Sequence, residues 1–164
     1  MAYADYEFYT KSFFGNVVPE SDFIRLAERA SDFLDTLTFD RLTDGLATPE
    51  KYQKRIKKAV CAVAEIYYQL DLAQKQALAA ASGASAATDA NGTTTGIITS
   101  KSSGSESISY ATAQQTGAAA KEWSAVYSAA GDTKAANRLL SDAAMPYLIG
   151  VVTDGGVPII YAGF

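Results

Sequence analysis

Histidine is absent from the 164-residue chain, and cysteine occurs once, as Cys61. Without imidazole there is no Ser-His-Asp triad, no Cys-His pair, no histidine general base and no His-ligated zinc or iron centre. A lone cysteine forms no internal disulfide and suits a reducing compartment. Large apolar side chains are sparse as well. Leu, Ile, Val and Phe number 35, about 21% of the chain, whereas Ala alone contributes 30, so the apolar fraction of 48% overstates what a core has to work with. No run approaches the ~20 apolar residues of a membrane-spanning helix, and residues 1–14 carry Asp5 and Glu7 in place of a signal-peptide pattern. The expectation is a soluble chain made in the cytoplasm, with no membrane partner. A net charge of −4 argues against wholesale disorder, and a pI of about 4.8 argues against a dedicated nucleic-acid binder.

What is present is organised in segments. Residues 1–18 are rich in rings, with Tyr3, Tyr6, Phe8, Tyr9, Phe13 and Phe14 ahead of Gly15-Asn16. Their spacing suits neither a clean helix nor a clean strand. The segment reads as an extended arm that packs its rings either on its own helices or on a neighbouring subunit.

The spacing predicts a long helix from about Pro19 to Thr38. Pro19 and Glu20 suit a first turn, and Phe23, Leu26, Ala27, Ala30, Phe33, Leu34 and Leu37 form one apolar stripe. Residues 39–47 read as a loop. A second long helix starts at Thr48-Pro49-Glu50 and runs to Ala81, with Tyr52, Ile56, Ala59, Val60, Val63, Ile66, Tyr67 and Leu70 as its stripe. Lys51, Lys54, Arg55, Lys57 and Lys58 crowd its first turns, where the helix dipole disfavours positive charge. They are either a solvated face or a patch that meets acidic subunits or passing DNA.

Residues 82–105 are almost entirely Ser, Gly, Ala, Thr, Asp and Asn, a composition that cannot repay its own ordering entropy. The stretch reads as a long mobile loop, whose second half suggests strands over 95–100 and 106–110. The glycines lack phosphate-loop spacing. Two short helices follow, over 112–129 and 132–143, with Asp132 as a cap and Pro146 as the stop. From Leu72 to Arg138 there are six Leu, Ile, Val or Phe residues against 19 Ala, so this half buries little area. The apolar end reads as strands over 147–152 and 157–161 around Thr153-Asp154-Gly155-Gly156, packing on the helices or adding to a partner's sheet.

Chemistry has few candidates. Asp32 with Asp35, and Asp40 with Asp44, are carboxylate pairs with nothing obvious to desolvate them. Asp40, Asp44 and Glu50 lack calcium-loop spacing. Cys61, in Ala-Val-Cys-Ala-Val, reads as a small packed apolar residue. The expectation is no enzyme activity, no cofactor and no metal; a helical enzyme using carboxylates is the poorest alternative.

Several stretches resemble phage head–tail connector proteins, the adaptor or head-completion proteins of siphophages and related prophages. They are Tyr-Glu-Phe-Tyr at 6–9, the helix Val18–Asp35, Leu-Thr-Phe-Asp-Arg-Leu at 37–42, Ser-Glu-Ser-Ile-Ser-Tyr at 105–110, Asn-Arg-Leu-Leu-Ser at 137–141 and Ile-Tyr-Ala-Gly at 160–163. The stretch after residue 80 and the tail from Met145 are longer than that family's pattern. The resemblance implies one mainly α domain: a small helical bundle with two long helices (arm 1–18, core 19–81), a long flexible loop or hairpin (82–111), short helices (112–144) and an extended β-like docking tail (145–164). It implies a structural virion protein at the head–tail interface, made in the bacterial host cytoplasm. Its partners would be copies of itself in a dodecameric ring, the portal protein, a tail-side stopper or terminator, and transient non-specific DNA in the lumen. On that reading Lys54, Arg55, Lys57 and Lys58 meet the adjacent subunit. Ile98, Lys101, Glu106, Ile108 and Tyr110 face the tunnel or next ring, and Val157, Ile159, Tyr161 and Phe164 dock on the portal. The alternative is an adaptor or terminator elsewhere in a phage tail-like particle.

Overall fold

The computed structural model describes residues 2–42, 49–81, 98–102, 107–110 and 124–160. Helices dominate, as expected for a mainly α chain: α1 (Tyr6–Phe8), α2 (Glu20–Leu37), α3 (Glu50–Ala81), α4 (Ala125–Ala129) and α5 (Thr133–Leu148). The chain divides into two compact units, one of Met1–Gln69 with Lys134–Phe164, the other of Leu70–Thr133. No described helix is long and apolar enough to cross a membrane.

In the first unit α2 begins where the sequence places it. Pro19 holds φ −64° and ψ 151°, and its carbonyl accepts from the N–H groups of Asp22 and Phe23 at 3.1 and 3.0 Å. Glu20 and Asp22 lie in the first turn, at the positive end of the dipole. The predicted stripe is the buried one: Phe23, Leu26, Ala27, Ala30 and Leu34, joined by Ser31. On α3 the buried residues Ile56, Ala59, Val60, Val63 and Ala64 complete the facing surface. Phe33 meets Tyr67 edge-on, with ring centroids 6.4 Å apart.

The N-terminal segment is not an extended arm. Asp5 caps α1 by accepting from the Phe8 N–H at 2.7 Å, and the chain continues as a π-helical turn over Tyr9–Phe13. That wider turn stacks Phe13 on Tyr9 and leaves the Tyr9 ring stacked on Phe23, with centroids 4.7 Å apart. Of the two open readings, the rings other than Phe14 pack on the chain's own helices.

The C-terminal end departs from expectation too. Pro146 does not stop the last helix; it lies inside α5, in its final turn. There it forfeits one backbone bond, and the next N–H groups recover the pattern, with Ile149 donating to Met145 at 3.0 Å. Buried Leu148 and the contact of Tyr147 with Phe13 hold the turn in place. Gly150, at φ +76°, ends it. The expected ribbon shrinks to one antiparallel bridge, Val152 with Pro158, closed by bonds from Thr153 to Val157 and from Ile159 to Val151. Val151 and Ile159 point into the core, so the tail packs on its own helices.

In the second unit β1 (Ile98–Ser102) and β2 (Ser107–Tyr110) pair antiparallel, two residues or so from the predicted strands, with an irregularity between Ile98 and Ser100. Ser124 caps α4 by accepting from the Tyr127 N–H at 3.3 Å, and Gln74 donates to the Ala130 carbonyl at 3.1 Å. The rest of the expected mobile loop, and the expected helix before residue 124, lie outside the described residues.

Candidate interaction surfaces

Interior polar groups of the first unit are consumed by the fold. The Tyr9 hydroxyl donates to Glu65 Oε1 at 2.8 Å and accepts from the N–H groups of Val17 and Val18, both at 3.0 Å. One donor and two lone pairs are thus all used. Burial, followed by the Glu65 bond, pushes this phenol up to about 12 against the pull of the two amides. Tyr3 donates its hydroxyl to Asp35 Oδ1 at 2.5 Å, and its N–H to Ser31 Oγ at 3.0 Å. Burial raises the Asp35 carboxyl above its usual range, although the Tyr3 bond pulls the other way. No buried side-chain polar atom among the described residues lacks a partner.

The carboxylate pairs are therefore unlike the sequence picture. Asp35 is half-buried and ties down the N-terminal segment, while Asp32 is exposed. Asp40 follows α2 in a left-handed conformation, and its expected companion Asp44 lies outside the described residues. Among the described residues no three His, Cys, Asp or Glu side chains are grouped to hold a metal ion. Cys61 is fully buried, and burial pushes its thiol up to about 12, the behaviour of a packed apolar residue.

The surface carries what the interior does not. Phe14 and Phe39 both hold left-handed backbone, at φ 62° and 55°, where bulky residues are rare. Both rings nevertheless stand in solvent, 82% and 62% exposed. Asp40 extends the second strained site at φ 57°. Sequence reasoning missed both positions as candidates; the signal available was a Phe, rather than a Gly, at each helix exit.

The basic residues at the start of α3 divide by role. Arg55 donates to the Ile149 carbonyl at 2.7 Å, and the Lys57 ammonium sits 5.5 Å from the centre of the Phe8 ring. Both thus support the unit itself. Lys51 and Lys54 are exposed and Lys58 is half-buried, on the side of α3 away from the core. Arg41 reaches from the end of α2 to the Pro158 carbonyl at 2.8 Å while its guanidinium lies over Phe39. The C-terminal turn is thus pinned by two arginines.

Of the tail residues, Val157 is 47% exposed and Ile159 is fully buried, so Ile159 is spent within the chain and corrects the expectation of a free docking strand. Tyr161 and Phe164 lie outside the described residues. Ile98, Lys101, Ile108 and Tyr110 all belong to the hairpin, where Lys101 pairs with Ile108 and Ile98 with Tyr110. Glu106 lies outside the described residues. A surface cavity in the second unit is lined by Gln74, Tyr127, Ser128 and Asp132 among others.

No protein-family model matches the chain, and no curated protein or solved structure does either.

Proposed function

We propose that the chain is a structural ring adaptor of a phage particle, set between the portal and the tail-side interface proteins, with DNA passing through the ring. The observation that carries this reading is the pair of solvent-exposed phenylalanines, Phe14 and Phe39, each held at a left-handed backbone position. Keeping a bulky residue there costs on the order of 1–2 kcal/mol, and rings this exposed recover little of it, Phe39 only through the Arg41 guanidinium, until a partner covers them. Such sites suit a protein whose function is contact. The sequence resemblance supplies the kind of particle. Every buried polar side-chain atom described is already hydrogen-bonded within the fold, which agrees with a supporting part.

The net charge of −4 suits a lumen through which DNA slides, since dense phosphate contacts would hold it. Weak, salt-sensitive DNA binding is expected in filter-binding titrations; tight binding at physiological salt would count against the lumen role. The decisive experiment is co-purification from the parent particle, followed by imaging. Association with the portal in a ring supports the adaptor. Association with the tail tube instead places the protein elsewhere in a tail-like particle, and absence from any particle overturns both.

A further inference from the structure

We infer that the outward face of the first turns of α3 docks on the outward ridge of α2 in a second copy of this chain, basic helix surface against acidic helix surface. Lys51, Lys54 and Lys58 follow one another at three- and four-residue steps and so share one side of α3. The core side, through Ile56, Ala59, Val60 and Val63, is the opposite one. No ion pair to Lys51, Lys54 or Lys58 forms among the described residues. The α3 dipole works against these charges. Within the copy the Lys51 ammonium lies 4.8 Å from the centre of the Tyr52 ring, and no described carboxylate pairs with Lys54 or Lys58.

The complement is on α2. Glu20, Ile24, Glu28 and Asp32 recur at four-residue steps, a single exposed ridge. Its core residues Phe23, Leu26 and Ala30 face the other way. One exposed apolar residue lies on the α2 ridge and another just past the end of α5. Ile24 is 72% exposed between Glu20 and Glu28, and Ile149, whose carbonyl holds Arg55, is 62% exposed. Charge and apolar surface therefore match across the two surfaces. Both belong to the same compact unit, so a copy that offers α3 to one neighbour still offers α2 to another. This is a heterologous contact, which generates rings or filaments according to the rotation it imposes. The contact deepens the adaptor reading and rests on it only for closure into a ring.

A charge swap tests it on the full chain. Sedimentation velocity is run on the wild type, on Lys54→Glu/Lys58→Glu, on Glu20→Lys/Asp32→Lys, and on an equal mixture of the two variants. Circular dichroism verifies folding, and Glu20→Gln/Asp32→Asn serves as the milder acidic-ridge variant. The wild type is expected to self-associate less as salt rises, and each variant alone to weaken association by about tenfold or more, as opposed like charges do at an interface. The mixture is expected to regain it, because reversed α3 then meets reversed α2. A monomeric wild type at its highest soluble concentration, a mixture that stays dissociated, or variants that lose only DNA binding with unchanged mass would each overturn the contact. Portal binding is scored separately: a chain that passes the swap but ignores portal refutes the adaptor and keeps the contact, and the reverse result does the opposite.

Discussion

Tyr9 shows how one side chain organises its surroundings. Its hydroxyl joins Glu65 on α3 to the backbone of Val17 and Val18, and its ring fills the space against Gly15 so completely that a Cβ there would land inside it. Gly15→Ala is therefore expected to lose roughly 1–3 kcal/mol, as an overpacked core site does. Thermal denaturation checks it, and unchanged melting would refute the close fit. Asp35 gives a pH signature. Its carboxyl titrates above the usual 3.8 because burial penalises the charge, so the fold binds its proton more tightly than the unfolded chain. Its contribution is present in full below the ordinary value and fades as pH rises through the raised one. Asp35→Asn, which stays neutral, should gain on the wild type in melting temperature across that window; parallel curves would sink the assignment.

Among the elements, the exit from α2 is the telling one. Helices commonly end on a left-handed glycine, yet Phe39 and Asp40 occupy two such positions in succession. Asn tolerates that conformation better than Phe. Phe39→Asn is thus expected to leave the melting temperature unchanged or higher, although it deletes a large ring, and, on the proposed adaptor reading, to weaken association with the neighbouring protein. A clear drop in melting temperature would show that the ring supports the fold. The neighbouring Arg41 ties this exit to the C-terminal turn through the Pro158 carbonyl.

For the complete chain, the C-terminal turn is structural before it is anything else. Removing residues 157–164 deletes Ile159 from the core, and loss of a buried Ile-sized side chain costs about 2–5 kcal/mol. The truncated protein is expected to melt well below the wild type by circular dichroism; an unchanged transition would show Ile159 to be dispensable. The exposed Val157 offers the cleaner probe of docking. Val157→Ser should keep wild-type melting and lose portal association if the tail is a contact, and full retention of portal binding would remove it from the docking surface.

Periodicity and end signals sufficed for α2 and α3, because an apolar stripe at three- and four-residue steps and a proline–glutamate start are local facts. The burial of Cys61 and the Thr153–Gly156 turn were legible for the same reason. The π turn at Tyr9–Phe13 was not, since it depends on the distant partners Phe23 and Glu65. Nor was the passage of α5 through Pro146, where packing of Tyr147 and Leu148 outweighs one missing backbone bond. The two strained phenylalanines were seen only in the backbone angles and exposure of the folded chain, and the sorting of the basic residues into those that hold the unit and those that face outward came from long-range contacts. A neighbour list can say which residue types favour a helix, but only three-dimensional packing says which side chains are left over for a partner.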